Sequence, residues 1–194
     1  MTISNDQLEP HLNYFLCLES DIQALSRWIE FSRLNEHVYS IELARLLMTA
    51  AAEADVIAKR LCATIEPQTR ASNINSYQAI LCKALPALPV AKVEIPKYGL
   101  EFCPWSNWAQ PNTPPIWWQG NNKVKHHRAE HFVQANLKNV LNASAGLLVL
   151  LILYLKSQKI HYIPPFNLFL PRTFAMLNGV QLLLLLPDGS NVPW

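Results

Sequence analysis

The sequence predicts an all-α fold: a helical bundle with a long, ordered loop rich in proline and tryptophan, and an irregular carboxyl-terminal segment containing a short strand. Two observations predict it. The chain has 14 prolines and 5 glycines, but neither occurs in 11–66, and 116–163 contains no proline and only Gly120 and Gly146. A proline inside a helix costs about 3 kcal/mol, so long helices are expected in such stretches. Within them, apolar residues recur at steps of three and four, as on one face of a helix.

The composition indicates one folded domain spanning 1–194. The chain has 194 residues, of which 51% are hydrophobic and 15% are charged, enough to bury one core but hardly two. Intrinsic disorder is excluded because it requires low hydrophobicity and high net charge. The net charge of +2 excludes a strongly polyanionic or polycationic surface as the dominant feature.

The cysteine pattern and the apolar runs indicate a cytoplasmic protein without a membrane partner. The four cysteines lie far apart with no CxxC spacing, which is typical of reduced thiols and not of a disulfide scaffold or zinc site; they are Cys17, Cys62, Cys82 and Cys103. The first nine residues lack the basic and then apolar plan of a signal peptide. The most apolar run, 145–155, has 11 residues, short of the ~20 needed to cross a bilayer, so we expect a buried helix.

A long helical hairpin is expected over 8–66, followed by a short helix over 74–85. Ser40 is a favourable N-cap and divides the hairpin into two helices. One apolar stripe marks the first helix: Phe15, Leu18, Ile22, Leu25 and Ile29. Two adjacent stripes mark the second helix, which we therefore place at the centre of the bundle. The first is Ile41, Ala44, Met48, Ala51, Asp55, Ala58, Cys62 and Ile65, and the other is Leu43, Leu47, Ala50, Ala54, Ile57 and Leu61.

The segment 86–115 is predicted to be an ordered flap. Its seven prolines exclude an ordinary helix, yet four of the six tryptophans of the chain lie between 105 and 118. Large aromatic side chains normally bury most of their surface, so we expect this flap to lie across the helices. An aromatic platform for bases or sugars is the alternative.

A second long helix is predicted over 116–157, followed by an irregular segment over 160–194. The inward stripe of this helix would comprise Asn122, His126, Ala129, Val133, Asn136, Val140, Ala143, Leu147, Leu150 and Tyr154. In the last segment, Val180–Leu186 is predicted to be a short strand that ends in a turn at 187–189.

Polar residues inside two apolar stripes mark the candidate site. Asp55 occupies a core position of the central helix, where an unpaired carboxylate would cost several kcal/mol. Asn122 and His126 lie one turn apart on one face of the last long helix. We therefore expect Asp55 and His126 to meet across the bundle, with the carboxylate orienting the imidazole and raising its pKa.

A basic segment surrounds these residues. Lys123, Lys125, Arg128 and Lys138 are accompanied by a single acid, Glu130, and by three histidines. We expect this segment to open a helix, so that its backbone N–H groups and basic side chains would converge on an anion. Two alternatives remain open. The segment is a solvated basic face whose core histidine is satisfied by Asp55, or His127 and His131, four residues apart, hold a metal. We expect no cofactor.

Several strings resemble a family of uncharacterised bacterial all-helical proteins, and the resemblance covers most of the chain. They are L-E-S-D-I at 18–22, Y-S-I-E-L-A-R-L-L-M at 39–48, E-A-D-V-I-A-K at 53–59 and W-W-Q-G-N-N-K-V-K-H-H-R at 117–128. A tyrosine stands in that family where this chain has Asn121. The family carries no function over to this chain.

The Asn-x-x-x-His segment of an all-helical chain is also similar to the HEPN superfamily (higher eukaryotes and prokaryotes nucleotide-binding). Many of its members are metal-independent ribonucleases of toxin–antitoxin and anti-phage systems. Their motif is an arginine, usually followed by a polar residue, and then a histidine separated from the arginine by four to six residues. His126 and Asn122 match the histidine and the polar residue, but 119–121 contains no arginine. The ribonuclease motif is not intact, and the resemblance implies a helical fold and anion binding.

Three functions follow as hypotheses. The first is a HEPN-like protein that binds RNA or a nucleotide phosphate through Asn122, Lys123 and Lys125. If it is catalytic, His126 is the general base, assisted by Asp55, and Arg128 or Lys125 stabilises the phosphorane. The second is a structural or partner-binding homo-oligomer that associates through 145–155 and 181–186. The third is a metal-dependent hydrolase.

Overall fold

A computed structural model of the chain describes residues 10–160 and 164–172, together with the backbone of 174–177, 181–185 and 191–192. Within these residues the fold is mostly helical, which confirms the predicted class in its coarser form. The helices are α1 (Pro10–Leu25), α2 (Ile41–Ile65), α3 (Ile74–Ala84), α4 (Ile116–His126), α5 (Arg128–His131) and α6 (Leu137–Ser157).

Helix α2 lies at the centre of the bundle, as its two apolar stripes predict. The Ser40 hydroxyl caps it by accepting the backbone N–H of Leu43 at 3.1 Å. Helices α1, α3, α4 and α6 all pack against α2. The first helix is shorter than its stripe suggests, because α1 ends at Leu25 and 26–40 form a connection with only a short 3₁₀ turn at 33–35.

Helix α6 is the most deeply buried element among the described residues. Every residue from Ala143 to Leu155 is buried, so the run 145–155 fills the core and does not form the oligomer interface that the sequence suggested. The whole helix has 21 residues and a mean hydropathy of 1.8 over its most apolar window, of which 83% is buried. By length and composition alone it is the one described helix that could cross a membrane, a property that buried core helices share.

The prediction of a single helix over 116–157 is wrong. Helix α4 ends at His126, and α6 begins only at Leu137. Tertiary pairing accompanies the second break, before Leu137. Around the second break, the Leu137 N–H donates to the Val38 carbonyl at 3.0 Å, and the Ser40 N–H donates to the Ala135 carbonyl at 3.4 Å. A continuous helix would use these backbone groups internally. The Asn136 side chain then caps α6 by accepting the Asn139 N–H at 3.0 Å.

The flap is ordered but contains strands, so the fold is not purely helical. Strand β1 (Val93–Ile95) pairs antiparallel with both β2 (Leu100–Phe102) and β3 (Leu170–Pro171). The turn between β1 and β2 uses Gly99 at φ 61°, a conformation that glycine adopts without a steric penalty. The tryptophans of this region are at most 9% exposed, so the alternative of an aromatic platform is wrong.

The carboxyl-terminal segment forms a second three-stranded antiparallel sheet. Its strands are β4 (Phe174–Leu177), β5 (Gln181–Leu185) and β6 (Asn191–Val192), in the order β4-β5-β6. Strand β5 confirms the strand predicted over 180–186. The turn predicted at 187–189 lies outside the described residues.

All four cysteines are free thiols, and their burial predicts a wide range of reactivity. Burial raises the pKa of Cys82 to about 11 and that of Cys62 to about 12. At pH 8 only about 0.1% of Cys82 and about 0.01% of Cys62 would be thiolate, the reactive form. We expect an aromatic disulfide reagent to label the exposed Cys17 first and Cys62 at least about a hundredfold more slowly.

The measurement is a time course of thiol labelling on the native and urea-unfolded protein. All four thiols should react rapidly after unfolding. In the Cys17→Ser variant the fast native phase should disappear. Labelling of native Cys62 at the rate of Cys17 would contradict the burial of that thiol.

Candidate anion-binding surface

The expected contact between Asp55 and His126 does not form. Asp55 lies on the side of α2 that faces α3, where one carboxylate oxygen accepts the Tyr77 hydroxyl at 2.9 Å and the other accepts the Lys59 ammonium from one turn along α2. His126 is exposed on α4 and has no hydrogen-bond partner among the described residues. The proposed catalytic pair is therefore wrong.

Asp55 has a structural role instead. Its bond to Tyr77 ties α2 to α3, and Tyr77 is completely buried. Burial, together with the hydrogen bond to the Asp55 carboxylate, raises the pKa of the Tyr77 hydroxyl well above its usual value. Because the phenol stays protonated, it remains a donor to Asp55 throughout the physiological pH range.

The basic segment forms an exposed surface where α4 meets α5. All its basic side chains are exposed except those of His131 and Lys138, which are half-buried. We call this surface the basic corner and define it by Lys123, Lys125, His126, His127, Arg128 and His131. Asn122 is exposed beside it, one turn before His126.

The basic corner lies at the carboxyl end of α4. The expectation that the basic segment opens a helix is therefore wrong. The Lys123 carbonyl accepts the His127 N–H at 2.8 Å in the last turn of α4, and α5 has only four residues. Basic side chains at a helix carboxyl terminus stabilise its partial negative charge. An anion bound here would therefore be held by side chains and not by the backbone N–H groups of a helix amino terminus.

The cations of the basic corner are not neutralised within the described part of the chain. Lys123, Lys125 and Arg128 form no ion pair there, and neither does the nearby Glu130. Lys138, by contrast, pairs with Glu36 at 3.2 Å and does not belong to the corner. Exposed charges without partners keep their full attraction for mobile counter-ions and for phosphate groups.

Two further contacts define the shape of the corner. The Arg128 guanidinium lies 3.2 Å from the Met48 sulfur and so anchors α5 on α2. The rings of His127 and His131 meet edge to face with centroids 6.4 Å apart. No group of three or more metal-binding side chains occurs among the residues that the structure describes, so these two histidines lack a third protein ligand there.

Sequence reasoning missed two polar contacts of the core. His11 of α1 pairs with Glu53 of α2 at 2.5 Å, and its ring meets that of Tyr154 edge to face. Glu19 is 1% exposed and accepts three backbone N–H groups from 167–169. Glu19 carried a usable signal, since it lies between Phe15 and Ile22 in the apolar stripe of α1. The His11–Glu53 pair had none, because it depends on how α1 and α2 align.

Asn121 lies on the inner face of α4. It is 9% exposed, and its side-chain oxygen has no hydrogen-bond partner among the described residues.

A comparison of the chain with known proteins finds no matching family model, no similar curated protein and no similar solved structure.

Proposed function

We propose that this protein binds RNA through the phosphate groups, using the side chains of the basic corner. The observation that carries the proposal is the clustering of six basic side chains within 123–131, none of which is paired with a carboxylate in the described residues. Three of them, Lys123, Lys125 and Arg128, are charged at every physiological pH.

The chemistry of these groups suits a phosphate backbone. The planar guanidinium of Arg128 matches two oxygens of one phosphate, while Lys123 and Lys125 act as point charges. Because Lys123 and Lys125 are two residues apart on a helix, they point in different directions. Cations that point in different directions can contact successive phosphates of a strand more readily than they can converge on one small anion.

Binding without catalysis is the part of the HEPN resemblance that the residues support. A ribonuclease of that type needs a positioned base and an arginine at the start of its motif. Here His126 has no carboxylate to orient it, and 119–121 contains no arginine. We therefore assign no reaction to this surface, and we expect RNA to be bound and left intact.

The first test measures how salt weakens RNA binding. Each phosphate contact on a single strand contributes about 0.7 to the slope of log affinity against log salt concentration. The double variant Lys123→Gln/Lys125→Gln should therefore lower that slope by about 1.4 and weaken binding about tenfold or more at low salt. The measurement is the fluorescence anisotropy of a labelled single-stranded RNA between about 50 and about 200 mM KCl.

A matched control separates the basic corner from net charge. The double variant Arg70→Gln/Lys159→Gln removes the same charge from exposed positions beyond the far ends of α2 and α6. Met48, where the corner touches α2, lies about 25 Å along that helix from its carboxyl end. The control should keep the slope of the wild type. Equal losses in both double variants, or no binding by the wild type at low salt, would contradict the proposal.

A further inference from the structure

A second surface, which shares no residue with the basic corner, exposes large apolar side chains. Around the connection between α1 and α2, Leu34 is 95% exposed, Trp28 84% and Ile41 80%. We call this surface the apolar corner and define it by Trp28, Leu34, Val38, Tyr39, Ile41 and Val133, all of them exposed. Single exposed apolar residues are ordinary, whereas several around one connection mark an interaction surface.

A groove, a ring contact and neighbouring positions in the chain link several members of the apolar corner. A groove of about 440 Å³ runs between the end of α1 and the start of α2, with Trp28 and Ile29 on one wall and Ser40 on the other. Tyr39 and Ile41 flank Ser40 in the chain. The Tyr39 ring then meets that of Phe132 edge to face, with centroids 5.5 Å apart, which extends the surface to Val133.

The exposed area matches what a stable dimer takes from each partner. A large apolar or aromatic side chain presents about 150–250 Å² when free, so these six expose on the order of 700 Å² between them. A standard protein interface buries about 800 Å² on each side. Tryptophan is also among the residues that contribute most to binding at such interfaces.

The surrounding charges favour a second copy of the same chain as the partner. Between 21 and 45 the acids are Asp21, Glu30, Glu36 and Glu42, and the bases are Arg27, Arg33 and Arg45. Lys138 of α6 adds a fourth base through its pair with Glu36. A strongly charged partner gains nothing from so balanced a surface. In a two-fold dimer each surface meets its own image, which a balanced mixture of charges tolerates and a single sign opposes.

We propose that two copies of this chain form a two-fold dimer through the apolar corner, with Trp28 as a principal anchor. The interface does not rest on RNA binding, since the apolar corner contains no residue of the basic corner. It also differs from the interface expected from the sequence, because 145–155 is buried inside each copy. The dimer covers the surface that each copy alone leaves in water.

The experiment is sedimentation or light scattering of the full chain over a range of concentrations, without RNA. The wild type should be dimeric at about 50 µM. Leu34→Asp and Ile41→Asp should each raise the dimer dissociation constant at least about tenfold, because each places a charge in an apolar contact. Both positions are exposed, and an acid at Ile41 falls in the first turn of α2, where it is favourable. Unfolding curves confirm that both variants remain folded.

Val90→Asp is the matched control. Val90 is 49% exposed and lies in the flap, after α3, so its substitution should leave the dimer intact. Three outcomes would overturn the proposal. The wild type stays monomeric up to about 100 µM, the dimer persists in both variants, or Val90→Asp dissociates the dimer as strongly as Leu34→Asp does.

Discussion

Replacing Glu19 by alanine is expected to lower the free energy of unfolding by about 3–5 kcal/mol. The buried carboxylate accepts the backbone N–H groups of Asn167, Leu168 and Phe169 at 3.1, 2.9 and 3.0 Å. In the variant these donors lose their acceptor in a place that water reaches poorly, so the desolvation penalty is no longer offset. Urea unfolding at neutral pH measures the loss.

Two further variants identify the cause. In Glu19→Gln the amide keeps one acceptor oxygen but turns an NH₂ group toward backbone donors, so we expect a loss between those of the wild type and the alanine variant. Glu30→Ala, at an exposed acid, should stay within about 0.5 kcal/mol of the wild type. Amide exchange at 168 and 169 should speed up only in the Glu19 variants. A Glu19→Ala protein as stable as Glu30→Ala would show that the contact stabilises nothing.

The elements that the sequence predicted well are those with local signals. Ser40 caps the start of α2, because its hydroxyl accepts the backbone N–H of the third residue of that helix. Asn73 caps α3 in the same way. The breaks after His126 and before Leu137 have no such signal, since 116–163 lacks proline. The second break accompanies backbone pairing of 135–138 with 36–40, and contacts so distant in sequence leave no periodic trace.

In the candidate site, too, the features that depend on nearby residues were predictable, and the contacts with residues distant in sequence were not. A polar residue in an apolar stripe does predict partial burial, and Asp55 is indeed half-buried. The stripe does not reveal the partner: Asp55 meets Tyr77 on α3 and not His126. Glu19 satisfies the same criterion, and its partners are backbone groups almost 150 residues away. The basic segment was recognisable from composition, whereas its position at the end of a helix followed from a break that the sequence did not show.

The tryptophans also differ in burial, and the sequence did not predict which of them would be exposed. Four of them lie in and beside the flap and are buried, as expected, whereas Trp28 is 84% exposed. In the sequence Trp28 adjoins Ile29 at the end of an apolar stripe, which favours burial. Trp28 lies in the turn that follows the end of α1 at Leu25.

Replacing Trp117 by alanine is expected to lower the free energy of unfolding by about 3–5 kcal/mol. Trp117 is 2% exposed, and its ring meets Trp105 at 5.2 Å and Trp118 at 5.6 Å between centroids. Its indole N–H donates to the Pro104 carbonyl at 2.9 Å, which fastens the flap to α4. The ring also lies against Gly146 of α6, where a Cβ atom would approach it to 3.0 Å. Removing the ring therefore opens a cavity between three parts of the fold.

Trp28→Ala removes the same side chain from the surface and is the matched control. In dilute protein it should change the free energy of unfolding by no more than about 0.5 kcal/mol, since exposed side chains contribute little to stability. If the apolar corner forms a dimer, however, the wild-type unfolding midpoint rises with protein concentration, and Trp28→Ala should weaken that rise. Trp117→Ala should lower the midpoint at every concentration. Equal losses for the two variants in dilute protein would mean that the flap does not enclose Trp117.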